Sequence, residues 1–228
     1  MFEQNKVLFQ ALESSFLGLY PIVSNTDQLA RLLNAKSDLA LKLVQLRIKN
    51  KQGEPLEKEI QRSVELAGHF TTRLIINDHW PLAIKYRAYG VHLGQDDLLT
   101  ANLSAIKQSG LRLGLSAYTD SELARANALG PSYIGYGPIF ATQSKRMLVK
   151  PKGLAQLKRV RQQVTCPLVA IGGIGLDQLM AVLSCQVDGV AVISAINQAI
   201  DPMIAARAFI RKIDDFNLSK TKGYTHGT

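Results

Sequence analysis

Eight short apolar runs alternate with eight longer segments of helical periodicity, and this alternation constrains the fold more than any other feature of the chain. The predicted strands are 18–23, 42–47, 73–76, 90–93, 111–116, 132–136, 167–171 and 188–193. The predicted helices lie near 26–36, 54–70, 80–86, 99–109, 119–129, 151–163, 176–184 and 202–214. Strict alternation of this kind is typical of a parallel sheet with helical crossovers. Eight such units in about 200 residues predict an α/β protein folded as a single (β/α)8 TIM barrel.

The rest of the chain defines the ends of this barrel. An open doubly wound sheet is the competing architecture, but no G-x-G-x-x-G motif follows the first strand. No Pro/Ser-rich linker divides the chain, so we expect one catalytic domain over residues 17–216. Residues 1–16 are then an N-terminal extension, and residues 217–228 are a flexible C-terminal tail.

Composition narrows the classes of function. The net charge of +9 is compatible with binding of nucleic acid, with binding of phosphorylated small molecules, or with a contribution to solubility alone. The basic residues are dispersed and are not interleaved with aromatic residues, which argues against nucleic-acid binding. The two cysteines form no CxxC motif, and neither a signal peptide nor an apolar stretch of about 18 residues is present. We therefore expect a cytoplasmic protein that binds neither nucleic acid nor membrane.

The second predicted strand carries polar side chains at every second position. Gln45, Arg47 and Lys49 alternate with apolar residues, so all three point to one face of the strand. Without a functional role, these side chains would belong to a solvated edge strand, but a closed barrel has no free edge. Cations at the barrel mouth favour an anionic ligand, because a guanidinium grips phosphate oxygens as a fork and an ammonium adds a point charge.

Carboxylates follow the next two strands. Asn77 and Asp78 end the third strand, and Asp96 and Asp97 follow the fourth. Each could simply cap a helix or form a turn. Because neighbouring strand ends meet in a barrel, Asp78 and Asp97 together favour a Mg²⁺ site completed by substrate phosphate. His92 lies within the fourth strand, and we interpret it as a packed, hydrogen-bonded core residue.

The fifth and sixth strands lead to further polar residues. Ser116 ends the fifth strand and is a weak signal by itself. The loop after the sixth strand supplies two hydroxyls and a cation from Thr142, Ser144 and Lys145. This segment is either a flexible polar loop or an active-site lid that closes on an anion.

The last two strands end in candidate phosphate-binding loops. Gly172 and Gly173 allow close approach of a ligand to the backbone after the seventh strand. Ile193 and Ser194 follow the eighth, where loops of such barrels often bind phosphate through N–H groups. Two anion sites and a Mg²⁺ site favour an enzyme that joins two phosphorylated small molecules with departure of a phosphate group.

Taken together, these motifs show that the sequence resembles the thiamine-phosphate synthase family, also called thiamine-phosphate pyrophosphorylase. The resemblance covers nearly all of the chain except its two ends. The motifs that carry it are QLRIK (45–49), IND (76–78), GVHLGQDD (90–97), GLS (114–116), GYGPIFATQSK (135–145), IGGI (171–174) and VISAI (192–196). The family loop usually reads Pro-Thr-x-Thr-Lys, whereas this chain has Ala141 and Ser144, so we expect a looser loop.

The resemblance implies a reaction and a role for each motif. The family couples 4-amino-5-hydroxymethyl-2-methylpyrimidine pyrophosphate with 4-methyl-5-(2-phosphooxyethyl)thiazole, giving thiamine phosphate and pyrophosphate. By resemblance the pyrimidine pyrophosphate is held by Gln45, Arg47, Lys49, Asn77, Ser116 and Lys145, among which the catalytic residues are Arg47, Lys49 and Lys145. The thiazole phosphate is bound by Thr142, Ser144, Gly173, Ile193 and Ser194. Mg²⁺ is the implied cofactor, with Asp78 and Asp97 as its ligands.

Two other functions remain open on the sequence alone. One is a related barrel that acts as a thiazole tautomerase, which needs an acid/base residue but no pair of Mg²⁺ ligands. The other is a non-catalytic binder of phosphorylated ligands. The oligomeric state is undecided, and a homo-oligomer is compatible with the sequence.

Overall fold

The chain folds into a closed parallel barrel, described by a computed structural model over residues 9–12, 17–33, 41–142 and 150–223. The strands are β1 Leu19–Val23, β2 Leu43–Leu46, β3 Arg73–Asn77, β4 Gly90–Leu93, β5 Arg112–Ala117, β6 Tyr133–Tyr136, β7 Leu168–Ile171 and β8 Gly189–Val192. Their spatial order is their order in the chain, and β1 pairs with both β2 and β8. The predicted (β/α)8 barrel is thereby confirmed, and each strand begins and ends within one residue of its predicted bounds.

Helices surround the barrel. They are α1 Thr26–Leu32, α2 Gly53–Gly68, α3 Trp80–Lys85, α4 Gln95–Thr100, α5 Leu103–Gln108, α6 Asp120–Leu129, α7 Gly153–Gln163, α8 Leu176–Leu183, α9 Ser194–Asn197 and α10 Pro202–Gly223. Among the described helices, none combines the length and the apolar character that crossing a bilayer requires.

Two helical predictions need correction, and one short helix was missed. The helix predicted at 99–109 is two short helices, because Ala101 is extended and the Asn102 side chain caps α5. The short helix α9 was not predicted, since four residues show no periodicity. The last helix continues to Gly223, so the tail predicted from residue 217 is helical through 223, and residues 224–228 lie outside the described chain.

Alternation along the strands sorts side chains into two layers. Val44 and Leu46 pack in the layer between the barrel and its helices, whereas Leu43 packs inside the barrel. Gln45 shares the inward face with Leu43, as the period of two requires. The strand β2 thus directs its polar side chains toward the barrel axis, as its sequence pattern predicts.

Residues 9–12 of the N-terminal extension cover the floor of the barrel, the end where the strands begin. Phe9 N–H donates to the carbonyl of Gly130 at 2.9 Å, and Leu12 N–H donates to the carbonyl of Ser132 at 3.3 Å. The Leu12 side chain is buried within the inner core of the barrel. This segment therefore packs at the end opposite to the carboxyl ends of the strands.

Candidate active site

A cavity of about 520 Å³ opens at the carboxyl ends of the strands. Ten of the candidate residues predicted from the sequence line it, namely Gln45, Arg47, Lys49, Asn77, Asp78, Asp97, Ser116, Thr142, Gly172 and Ile193. Gly173 follows β7 and Ser194 follows β8, but both residues are exposed and neither lines this cavity. Ser144 and Lys145 lie outside the described residues.

The cations reach the cavity because the ladder between β1 and β2 continues beyond β2. Arg47 N–H donates to the carbonyl of Val23 at 2.8 Å, which extends the strand geometry past Leu46. Lys49, two residues further along, forms an ion pair with Asp78. The mouth of the barrel therefore brings one guanidinium, one ammonium and a carboxylate into the same cavity.

The two carboxylates Asp78 and Asp97 interact directly. Asp78 has a φ of +64°, a left-handed conformation that aspartate tolerates better than most residues. Burial opposes its ionisation, but the hydrogen bond and charge of Lys49 hold the pKa of Asp78 below its ordinary value. Burial and the negative charge of Asp78 raise the pKa of Asp97. Two neighbouring carboxylates repel each other when both are ionised. A divalent cation bound by both would remove this repulsion, so the pair is a candidate cation site.

This donor set suits a hard cation that also needs ligands from elsewhere. Carboxylate oxygens are the ligands that Mg²⁺ prefers, and it usually keeps water or substrate phosphate in its other positions. Within the described residues no group of three or more His, Cys, Asp or Glu side chains could hold a metal ion. The pair Asp78 and Asp97 thus fits a magnesium ion that is bound together with a phosphorylated substrate.

A buried chain of hydrogen bonds crosses the barrel beneath the cavity. The Tyr20 and Tyr133 hydroxyls are 2.7 Å apart, and the Gln45 amide donates to the Tyr20 hydroxyl at 3.1 Å. His92 joins the Tyr133 hydroxyl and the Ser116 hydroxyl, each at 2.9 Å. The interpretation of His92 as a packed, hydrogen-bonded residue is confirmed. Burial raises the pKa of Tyr20 and Tyr133, so both stay neutral hydroxyls.

Sequence reasoning missed Tyr20 and Tyr133, although a signal exists for Tyr133. A Cβ at Gly114 would lie 2.2 Å from Cζ of Tyr133, so only glycine leaves room for that ring. A Cβ at Gly135 would lie 3.3 Å from Cε1 of His92. An inward aromatic residue opposite a glycine on the neighbouring strand is the pattern that could have revealed the network.

The loops after β6 and β7 pack tightly on each other beside the cavity. Phe140 N–H donates to the carbonyl of Gly172 at 3.0 Å. Gly173 has a φ of +64°, and a Cβ there would lie 2.4 Å from the carbonyl oxygen of Ala141. Because a side chain at Gly173 would displace the loop, this glycine positions the backbone that leads to Thr142.

The fold and the mouth of the barrel define a class of protein: a (β/α)8 enzyme that acts on small molecules. The family model described as thiamine monophosphate synthase matches residues 19–196. The chain belongs to this family.

Bacterial relatives agree with that assignment over almost the whole chain. A thiamine-phosphate synthase of Serratia proteamaculans is 50% identical over 199 residues, which cover 87% of this chain and 92% of the relative. The thiamine-phosphate synthase of Pectobacterium atrosepticum is 48% identical over 200 residues, with the same coverage of 87% and 92%. The chain is accordingly an enzyme of thiamine biosynthesis that forms thiamine phosphate.

Solved structures support the same assignment. A thiamine phosphate pyrophosphorylase from Pyrococcus furiosus superposes with a TM-score of 0.76 at 28% identity, covering 89% of this chain and 98% of that one. A 3-hexulose-6-phosphate synthase superposes with a TM-score of 0.62 at 15% identity, covering 86% of this chain and 100% of that one. The second likeness shows the barrel fold alone.

Proposed function

We propose that this enzyme couples 4-amino-5-hydroxymethyl-2-methylpyrimidine pyrophosphate with 4-methyl-5-(2-phosphooxyethyl)thiazole, giving thiamine phosphate and pyrophosphate. One observation carries the proposal: Arg47 and Lys49 share a 520 Å³ cavity with the carboxylates of Asp78 and Asp97. Cations next to a carboxylate pair suit a pyrophosphate group bound together with a metal ion.

The proposed metal is Mg²⁺, held by Asp78 and Asp97. When bound, it would neutralise negative charge that develops on the departing pyrophosphate. Asp78 is paired with Lys49 in this structure. With a cation bound at Asp78, the ammonium of Lys49 would no longer be needed to balance that carboxylate and would be available to a phosphate oxygen.

The proposed reaction breaks one bond and forms one. The bond between the methylene carbon of the pyrimidine and the pyrophosphate oxygen breaks, and its electron pair leaves with pyrophosphate. The thiazole nitrogen then supplies the electron pair for the new C–N bond. Arg47, Lys49 and Lys145 donate hydrogen bonds to the leaving group, which stabilises its growing charge. The reaction requires no protein nucleophile.

Orientation of the pyrimidine is assigned to Gln45, Asn77 and Ser116. Gln45 and Ser116 are joined through Tyr20, Tyr133 and His92, so their polar atoms are held at defined positions. Because these side chains are already held in place, the two reacting rings would be brought into contact with little further loss of side-chain entropy.

The thiazole phosphate is assigned to the loops after β6, β7 and β8. Its proposed partners are Thr142, Ser144, Gly173, Ile193 and Ser194. The packing of the first two loops supports this assignment, because Gly173 fixes the position of the backbone at Ala141, which leads to Thr142 at the cavity. A cytoplasmic location and independence of nucleic acid and of membranes stay predictions from the sequence, which leaves the oligomeric state undecided.

The test is a coupled assay with the two proposed substrates. Purified protein is mixed with the pyrimidine pyrophosphate, the thiazole phosphate and Mg²⁺, and thiamine phosphate is followed after oxidation to its fluorescent thiochrome. Product that disappears with EDTA and returns with excess Mg²⁺ supports the proposal. Product formation that EDTA leaves unchanged would refute the metal, and binding of both substrates without product would refute the coupling reaction.

A further inference from the structure

The turn from β4 into α4 holds the proposed metal ligand Asp97. Gly94 and Gln95 begin this turn, directly after the last residue of β4, and both line the cavity at the barrel mouth. The helix α4 has only six residues, and a helix this short is not stable through its own backbone hydrogen bonds. The position of Asp97 therefore depends on the contacts that hold the first turn of α4 in place.

The first of these contacts involves Gly94. Asp97 is the third residue of α4, and its carboxylate folds back toward the start of the helix. A Cβ at Gly94 would lie 3.0 Å from Oδ2 of Asp97. This is closer than ordinary van der Waals contact between a methyl group and an oxygen atom, so a side chain at position 94 would push the carboxylate away.

The backbone at Gly94 does not itself require glycine. Its φ of −73° and ψ of 172° belong to the extended region that other residues adopt without strain. What Gly94 supplies is therefore the space left by its missing side chain, and the Asp97 carboxylate occupies that space.

The position of this carboxylate matters because Asp97 acts together with Asp78. The two side chains share a hydrogen bond in this structure. Mg²⁺ binds oxygen at about 2.0–2.1 Å and tolerates little deviation from its preferred geometry. A carboxylate pushed away from Gly94 would therefore be a poorer partner for Asp78 in holding one ion.

The second contact ties the same turn to β5 through Gln95. The side-chain amide of Gln95 donates to the carbonyl of Ser116 at 2.5 Å, and its side-chain oxygen accepts from Arg125 of α6 at 3.2 Å. These two partners agree on the orientation of the amide, because one requires a donor and the other an acceptor. Since both ends of the side chain are engaged by protein groups, we interpret Gln95 as a residue that holds the turn.

The bond to Ser116 lies just past the end of the ladder between β4 and β5. Leu93 and Leu115 are the last residues paired across these strands, and Ser116 is the next residue of β5. The Ser116 hydroxyl is itself 2.9 Å from His92 inside the barrel. Gln95 thus attaches the start of α4 to a part of β5 that the buried hydrogen bonds already fix.

We propose that Gly94 and Gln95 are positioning residues for the metal ligand Asp97. Gly94 leaves the space that the carboxylate occupies, and Gln95 holds the turn that carries it against β5. The proposal rests on the metal site of the proposed function and extends it to two residues that act through Asp97. Loss of an outer partner of a metal ligand typically lowers metal affinity by about 10- to 100-fold.

Isothermal titration of the full chain with pyrophosphate measures this effect without turnover. The affinity for pyrophosphate is measured once in EDTA and once in excess Mg²⁺, and the ratio of the two affinities reports the gain due to the metal. The test variants are Gly94→Ala and Gln95→Met. The matched controls are Gly68→Ala, where an added Cβ meets no atom within 4 Å, and Gln61→Met, which loses only a hydrogen bond to Glu65 on α2.

We expect Mg²⁺ to strengthen pyrophosphate binding by about tenfold or more in the parent and in both controls. This gain should fall by about fivefold or more in Gly94→Ala and Gln95→Met. Affinity in EDTA should stay within about twofold of the parent, because Arg47 and Lys49 are unchanged. The melting temperature of Gly94→Ala should stay equal or rise, since alanine adopts the backbone conformation of Gly94 without strain.

The possible failures are distinguishable. A parent-like gain in both test variants would overturn the positioning role and leave the metal site intact. Lower affinity in EDTA together with a lower melting temperature would show that Gly94 and Gln95 only support the fold. A parent whose pyrophosphate affinity does not respond to Mg²⁺ would overturn the proposed metal site, and the positioning role with it.

Discussion

Asp78 is the residue on which the charges of the active site converge. It pairs with Lys49, its pKa is held low, and its charge raises the pKa of Asp97. In the proposed metal site, the ammonium of Lys49 and the metal ion would compete for the oxygen atoms of this carboxylate. If Asp78 is a metal ligand as proposed, occupancy of that site would be linked to the position of Lys49.

The first prediction concerns this carboxylate. Asp78→Asn keeps the shape of the side chain but removes its charge, so we expect the Mg²⁺ concentration at half-maximal activity to rise by about tenfold or more. The measurement is a Mg²⁺ titration of thiamine phosphate formation. Asp96→Asn is the matched control, because Asp96 lines the same cavity but is assigned no metal. An unchanged titration for Asp78→Asn would remove it from the ligand set.

A second prediction concerns the guanidinium at the mouth. Arg47→Ala removes a forked donor from a departing pyrophosphate, so kcat/KM should fall by about 100-fold or more. Arg62→Ala on the exposed face of α2 is the control for loss of one positive charge. Steady-state kinetics with varied pyrimidine pyrophosphate measure the effect. Activity of Arg47→Ala within about twofold of the parent would contradict the role.

A third prediction concerns the buried hydroxyl of Tyr133. Tyr133→Phe removes the oxygen that joins Tyr20 and His92, so Gln45 and Ser116 lose their common support. We expect kcat/KM for the pyrimidine substrate to fall by about tenfold, and KM for the thiazole phosphate to stay unchanged. Tyr86→Phe is the control, because the Tyr86 hydroxyl donates to Glu57 outside the candidate active site. Equal changes for both substrates would refute a role in positioning the pyrimidine.

At the scale of elements, Glu59 of α2 connects three parts of the structure. Its carboxylate accepts from Thr26 N–H at 2.6 Å and from the Thr26 hydroxyl at 2.7 Å. It also pairs with Lys51, which belongs to the segment after Arg47 and Lys49. The start of α1, the helix α2 and the cation-bearing segment are thereby held together by one buried acid.

The fourth prediction follows from the pKa of Glu59. Burial opposes its ionisation, but hydrogen bonds from Lys51 and Thr26 lower its pKa to about 2. A lowered pKa stabilises the fold fully above the ordinary value of 4.5 and loses that contribution as pH falls toward 2. Urea unfolding should therefore show Glu59→Gln less stable than the parent at pH 7, and the difference should shrink by pH 2.5. A difference independent of pH would contradict this ionisation.

At the scale of the whole molecule, the two ends of the barrel have separate tasks. The candidate active site lies at the mouth, while residues 9–12 cover the floor and bury Leu12 in the inner core.

The fifth prediction uses this separation. Leu12→Ala should lower the free energy of unfolding by about 2–5 kcal/mol, because it leaves a cavity in a packed core. Activity per folded molecule should change by less than about twofold, since the candidate active site is at the other end. Urea unfolding and specific activity on the same preparation measure both effects. A large loss of activity in fully folded protein would show that the floor and the mouth are coupled.

Local pattern was sufficient for the strands and for much of the active site. Gln45, Arg47 and Lys49 were predictable because a period of two places them on one face, and strand order brings Asp78 next to Asp97. The pairing of Lys49 with Asp78 was not predictable, since it depends on side-chain directions across two strands. The roles of Ser144 and Lys145 stay predictions, because both lie outside the described residues.

The sequence by itself determined the eight-fold alternation, the inward polar face of β2 and the family, because each depends on order and spacing along the chain. Tertiary structure alone decided what lies far apart in sequence: the Tyr20–Tyr133 hydrogen bond across the barrel, Leu12 in its floor, and two arginines on the ring of Tyr89. Such contacts arise only when the barrel closes, since closure brings together strands separated by many residues.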